Sequence, residues 1–169
     1  ITEVANTDSV TAVISALVNG KTWVKAIADD GTIQVADSFY FIVNPDVTIA
    51  DLPAGTHDGI NYINDSTVVL ALTAPDKDFV YAIGDFSNWE AESEYFMNRT
   101  TDGNHWWITV NGLTPQVEYV YQYLVDGSLR IADPYCDKIL DSYNDFYISE
   151  ATYPGLIDYP TGKTSGIVS

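Results

Sequence analysis

Four aspartates, Asp133, Asp137, Asp141 and Asp145, recur at every fourth residue. On a helix they would stack along one side and repel one another unless a cation such as Ca²⁺ bridged them. Aspartate also caps turns through neighbouring backbone N–H groups, and the loose spacing matches no fixed oxygen-ligand pattern, so the series reads first as turn chemistry. Hydrolysis of a glycosidic bond needs two carboxyl groups, about 5 Å apart for retention and further for inversion. Among 24 acidic residues some pair meets that distance by chance, and none lies in a recognisable catalytic motif. His57 and His105 are far apart, and no nucleophile signature follows either. There is no Gly-x-Ser-x-Gly, no Gly-rich phosphate loop and no Cys/His metal spacing. The single cysteine, Cys136, stands beside Asp137, which favours the protonated, unreactive thiol. Asn64-Asp-Ser and Asn98-Arg-Thr match the glycosylation sequon, a three-residue pattern of little weight. No catalytic residue, metal ligand or cofactor site is expected.

The aromatic residues offer binding chemistry instead. Trp89 follows Asp85 and Asn88, and Tyr119, Tyr121 and Tyr123 flank Gln122. A sugar ring has an apolar C–H face and a polar rim. A flat aromatic covers the face while amides and acids bond the rim. Such an array suits a neutral glycan.

The elements that must position these residues are β-strands. Runs rich in Val, Ile, Thr, Tyr, Phe and Trp, punctuated by Asn, Asp and Gly, predict strands at 10–18, 22–28, 32–43, 67–74, 79–84, 105–111, 117–125, 128–132 and 146–149. Asn19-Gly20 and Asp126-Gly127 read as hairpin turns, and Asp30-Gly31 and Asp102-Gly103 as further turns. In 105–111 the period of 2 sends Trp106, Ile108 and Val110 into a core and Trp107 with Thr109 to the other face. In 117–125 it puts Tyr119, Tyr121 and Tyr123 on one face. Trp23, between Lys21 and Lys25, reads as a partly exposed cover. No stretch has the length and period of a long amphipathic helix. Many short antiparallel strands predict an all-β sandwich.

Composition narrows the partners. The chain has 169 residues, 7 basic and 24 acidic, for a net charge of −17. That length falls short of a (β/α)₈ barrel, which needs at least about 200 residues. The charge opposes nucleic acid and anionic membrane surfaces. No apolar run of 18 residues could span a bilayer, and no basic-then-apolar leader precedes the strands. Composition shifts near Pro53: residues 1–53 hold one of the twelve tyrosines, seven acids and two bases. The predicted boundaries are strands of one segment over 1–53, a sandwich over 54–152, and an extended connection over 153–169. Segment 1–53 offers about three strands where a sandwich has about seven, so either it is part of a cut domain or its strands join the second sandwich.

Three stretches carry a more specific pattern: Val80-Tyr-Ala-Ile-Gly-Asp-Phe-Ser-Asn-Trp89, Tyr121-Gln-Tyr-Leu-Val-Asp-Gly127, and Ala132-Asp-Pro-Tyr135 with its continuation to Asp145. With the Trp106 strand between them, they resemble the early-set immunoglobulin-like modules that precede the barrel in α-amylase-family glycoside hydrolases. These modules are similar to carbohydrate-binding module family 48. The resemblance covers about residues 65–150, and 1–53 resembles the final strands of another immunoglobulin-like module. Tyr153-Pro to Tyr159-Pro160 looks like the connection toward a catalytic barrel.

The resemblance implies a non-catalytic module that positions the barrel of its parent chain and holds an α-1,4-glucan such as starch or glycogen. It implies a secreted, cell-surface or periplasmic location. It places glycan contacts at Trp89, Tyr119, Tyr121, Gln122 and Asn144, and domain-interface contacts at Trp107, Tyr153 and Tyr159. The family's stacking Trp after the Asp-Gly turn is Leu129 here, which offers no plane. The alternative is an immunoglobulin-like spacer or protein-interaction module without glycan binding.

Overall fold

The computed structural model describes residues 11–15 and 18–169. Among them the chain is all-β: β1 (Gly20–Asp29), β2 (Gln34–Val43), β3 (Gly59–Asn64), β4 (Thr67–Thr73), β5 (Val80–Gly84), β6 (Asn98–Arg99), β7 (His105–Val110), β8 (Tyr121–Val125), β9 (Leu129–Ile131), β10 (Leu140–Asp141) and β11 (Ile167–Val168). One sheet has the order β3-β4-β7-β6 and another β5-β8-β9, all antiparallel.

The two sheets make the sandwich by burying one face each. Leu70 and Leu72 of β4 and Trp106, Ile108 and Val110 of β7 meet Val80 and Ala82 of β5 and Tyr121, Tyr123 and Val125 of β8. The period of 2 in β7 does this directly: Trp106, Ile108 and Val110 are buried and Trp107 and Thr109 only half so. Each fully buried side chain of this size contributes about 1.5–3 kcal/mol.

β8 departs from simple alternation. All five of its residues are buried, because the outer face of its sheet is also covered. Leu124 there packs with Tyr81, Ile83 and Ala91, against half-buried Ile42 and Phe96. Val120, just before the strand, packs with Trp89, Leu140 and Val168, against half-buried Leu156, Ile157 and Tyr159. The C-terminal strap is thus bound to the sandwich. Tyr121 and Ser169 exchange both backbone hydrogen bonds, at 2.9 and 3.0 Å, and β11 pairs with β10.

Residues on the N-terminal side of Pro53 also join the sandwich. Ile49 bridges Arg99 in parallel, with Ala50 N–H donating to Arg99 O and Arg99 N–H to Thr48 O, each at 2.9 Å. The Asn44 amide oxygen accepts from the Tyr81 hydroxyl at 3.2 Å.

Before this lies the ribbon β1–β2, turned at Asp30-Gly31, where the Asp30 carboxylate accepts from the N–H groups of Thr32 and Ile33. Trp23 and Tyr40 face each other across it with ring centroids 5.1 Å apart. Trp23 is 60% exposed. Lys21 lies over both rings and pairs with Glu90 at 2.6 Å, tying the ribbon to the sandwich.

Several details differ from the sequence reading: the strand expected over 117–125 begins only at Tyr121, the short β6, β10 and β11 lie outside the expected strands, and four further differences have clear causes. The strand predicted at 10–18 lies partly outside the described residues, and 11–15 are not in a strand. Gly20 has φ of 103° but opens β1 rather than closing a hairpin, whereas Asp126-Gly127, with φ of 49° and 72°, does turn β8 into β9. β3 was hidden by two asparagines, a residue type depleted in strands. Asn61 belongs there because its Nδ2 reaches the carbonyls of His57, Gly59 and Val69. Residues 146–149 have strand composition but no partner to pair with. Asp145–Tyr147 form a single 3₁₀ turn, and Phe146 and Tyr147 are exposed.

Candidate functional site

The Gly-Asp-Phe-Ser-Asn-Trp stretch is an internal fastening. β5 ends at Gly84, where a side chain would meet the Val120 carbonyl and come within 2.7 Å of Tyr121 Cβ. Asp85 follows at once and bridges two elements. Its Oδ1 accepts from Trp89 Nε1 at 3.0 Å and its Oδ2 from Val120 N–H at 3.0 Å. Trp89, at φ of 65°, folds back so that its N–H donates to Gly84 O, and its ring is 3% exposed.

The Tyr-x-Tyr and Asp-Pro-Tyr stretches form a second fastening. Tyr121 and Tyr123 donate their hydroxyls to Asp133 Oδ2 at 2.7 and 3.0 Å. Asp133 is 2% exposed, and its Oδ1 accepts from Tyr135 N–H at 2.8 Å. Burial is the first cause that holds both phenols well above the ordinary tyrosine range; Asp133 comes next for Tyr123, and for Tyr121 it follows the neighbouring Tyr123. Asp141 and Asp145 likewise accept from backbone N–H groups, of Tyr143 and Asp141, at 2.9 and 2.8 Å. Three of the four aspartates, Asp133, Asp141 and Asp145, thus accept from nearby backbone N–H groups, and among the described residues no group of three His, Cys, Asp or Glu could hold a metal ion.

The side chain of Gln122 points into the strap. Its Nε2 donates to the carbonyls of Ser165 at 3.0 Å and Ile167 at 2.7 Å, and its Oε1 accepts from the Thr164 hydroxyl. It is 1% exposed. Gln122→Ala leaves the strap's carbonyls without these donors. Hydrogen exchange is expected to show faster exchange across 164–169 while β7 keeps its protection; equal protection of 164–169 in variant and wild type would contradict this.

Trp89, Tyr121 and Gln122 are therefore withdrawn from solvent, and no ligand platform is made of them. Asn144 is exposed and bonded to Asp141 Oδ2. Leu129 is exposed at the start of β9. Of the interface candidates, Trp107 is half-buried and donates to Ala50 O at 2.7 Å. The Tyr159 hydroxyl donates to Gly166 O at 2.8 Å within the strap. Tyr153 is 45% exposed, with Lys138 Nζ 4.9 Å from its ring centre.

Two of the glycan candidates, Tyr119 and the buried Tyr121, line a cavity. The two sheets part at one end, beneath the 113–120 loop and the 136–140 segment, around a cleft of about 340 Å³. Ile60, Val68, Leu70 and Phe86 form its apolar depth. At its mouth Lys138 Nζ is held by Glu118 at 2.8 and 3.0 Å, which raises the ammonium's pKa. The Tyr119 hydroxyl accepts from Thr114 N–H at 2.9 Å, fixing the loop's end. The cleft adjoins a second groove of about 620 Å³, and Tyr62 and Tyr119 line both. Sequence reasoning missed Tyr62, which ends the inner face of a strand it did not predict. The signal was the Ile-x-Tyr alternation at 60–62.

The architecture defines the class as an all-β sandwich of antiparallel sheets. No protein-family model matches the chain, and no curated protein matches it. Among solved structures it is similar, over 46% of its length, to a Salmonella typhimurium protein assigned as an α-amylase, with 22% identity and a TM-score of 0.37. It is also similar, over 57% of its length, to the catalytic module of the multi-modular glycogen-degrading pneumococcal virulence factor SpuA, with 19% identity and a TM-score of 0.41. The chain spans only 12% and 15% of those two chains.

Proposed function

We propose that this chain is a non-catalytic early-set immunoglobulin-like module of an α-amylase-type glycoside hydrolase. It stands N-terminal to the catalytic barrel of the same parent chain, fixes the barrel's position and holds α-glucan near it. The parent acts outside the cytoplasm, where starch or glycogen is met as a polymer. One observation carries the reading. The motif residues in which the chain resembles such modules are spread over 50 positions, and the fold brings them into two adjoining fastenings, Gly84-Asp85-Trp89 with Val120 and Tyr121-Tyr123 with Asp133. A chance match of short strings has no reason to close in space.

The strap supports the positioning role. Val168 is fully buried and Ser169 exchanges both backbone hydrogen bonds with Tyr121, so the strap is held at a fixed point of the sandwich. A strap held in this way would set the orientation of a barrel joined to it.

Two measurements test the reading. The chain alone is expected to release no reducing sugar from soluble starch; release that persists through independent purifications would overturn the assignment. The encoding reading frame is expected to continue into a barrel of several hundred residues, and a frame without one would do the same.

A further inference from the structure

We infer that the groove running from the cleft over Tyr119 and Tyr62 is a binding site for a linear neutral oligosaccharide, an α-glucan chain if the reading above holds. The glycan face implied by the sequence resemblance is filled by the strap, so a glycan needs another surface. The groove offers one with the right chemistry in three respects.

The first is aromatic surface on an apolar floor. Tyr62 is 71% exposed, although it sits on the core-facing side of β3, and Val117 beside it is 53% exposed. A sugar covers such surface with its C–H face. The second is the rim. Asn64, Asp65, Thr67, Thr114 and Gln116 edge the same groove. A purely apolar ligand would strip water from these groups without replacing it, at a cost, whereas hydroxyl groups replace it bond for bond. The third is charge. The one lysine at the groove, Lys138, is neutralised by Glu118, and Asp65 and Asp137 add negative charge. Phosphorylated, sulfated or uronate ligands are repelled, and so are acidic peptides. A neutral polyol with apolar ring faces meets all three conditions.

Calorimetric titration of the full chain with maltoheptaose tests the site. Wild type is expected to bind, Tyr62→Ala to bind about tenfold more weakly, and Tyr62→Phe to bind nearly as well as wild type, since the ring supplies the contact. Tyr62 is exposed, so thermal melts of the three proteins should coincide. Trp23→Ala, which removes an exposed aromatic on the ribbon, is expected to leave binding unchanged. Equal binding by wild type and Tyr62→Ala, or an equal loss in Trp23→Ala, would overturn the groove while leaving a glucan-holding module standing. Absence of binding by wild type at millimolar maltoheptaose would overturn the groove as a glucan site. The starch-hydrolysis and reading-frame tests judge the module assignment separately.

Discussion

Gly84→Ala is expected to cost the sandwich about 3 kcal/mol or more, read as a fall in the urea midpoint at unchanged slope. The reason is space rather than backbone conformation. Gly84 has φ of 176°, which any residue adopts. A methyl group, however, would run into the Val120 carbonyl, with Tyr121 Cβ at 2.7 Å and Tyr121 Cα at 2.9 Å. Two of those atoms are backbone, at the first residue of β8 and the residue just before it, and β8 pairs with β5 on one side and β9 on the other and cannot step aside. Strand β5 would have to move instead. Moving it would pull Asp85 from both Trp89 and Val120 N–H, and Ser87 from the Gly84 N–H that donates to its hydroxyl. A domain has about 5–15 kcal/mol in total, so this single methyl takes a large part of it. A midpoint equal to wild type would show that β5 and β8 can separate without loss, and the close approach would then not hold the fold together.

The same neighbourhood shows what the sequence could and could not reveal. β7 was legible because only one of its faces is apolar, and the alternation Trp106, Ile108, Val110 is a local signal. β8 looked alike, yet its outer face is covered too, at Gln122 by the strap some 40 positions later and at Leu124 by Ala91, Phe96 and Ile42 from earlier in the chain, and no local pattern announces that cover. The consequence falls on the site. Tyr121 and Gln122 looked available on a half-exposed sheet, but Gln122 is spent on the carbonyls of 165 and 167 and the Tyr121 hydroxyl on Asp133. Trp89 has the composition of a stacking residue, but the left-handed backbone at Asn88 and Trp89, with φ of 51° and 65°, turns its ring inward. Tyr119 could be picked out because it belongs to the tyrosine run. Tyr62 had only the short Ile-x-Tyr alternation at 60–62 to mark it, and its place at the groove depends on the pairing of β3 with β4, where it faces Val68. Motif order was therefore readable at the level of fold, whereas exposure depends on contacts distant in sequence.

Asp133→Ala is expected to be the second large loss, about 4 kcal/mol, because one carboxylate serves two buried hydroxyls and a part-buried N–H. Removing it leaves the Tyr121 and Tyr123 hydroxyls and the Tyr135 N–H without their acceptor, and each orphaned group costs about 1–3 kcal/mol. Asp133→Asn keeps the volume and one carbonyl oxygen and should lose about half as much. The pair of tyrosines also sets the alkaline limit. Burial first, then Asp133 for Tyr123 and the neighbouring Tyr123 followed by Asp133 for Tyr121, hold both phenols above the ordinary value of 10.0 in the folded chain. In the unfolded chain they ionise near that value, so above it the unfolded state binds fewer protons and gains on the folded one. Stability is thus fully present below pH 10 and falls as pH rises beyond it, by about 1.4 kcal/mol per unit for each tyrosine. Because burial is the larger cause, the alkaline fall should persist in Asp133→Ala, starting from a lower plateau. Urea midpoints at pH 8 to 11, with tyrosinate absorbance followed in parallel, separate the two contributions. Ionisation of all twelve tyrosines in one step near pH 10, in a chain still folded, would contradict the buried pair.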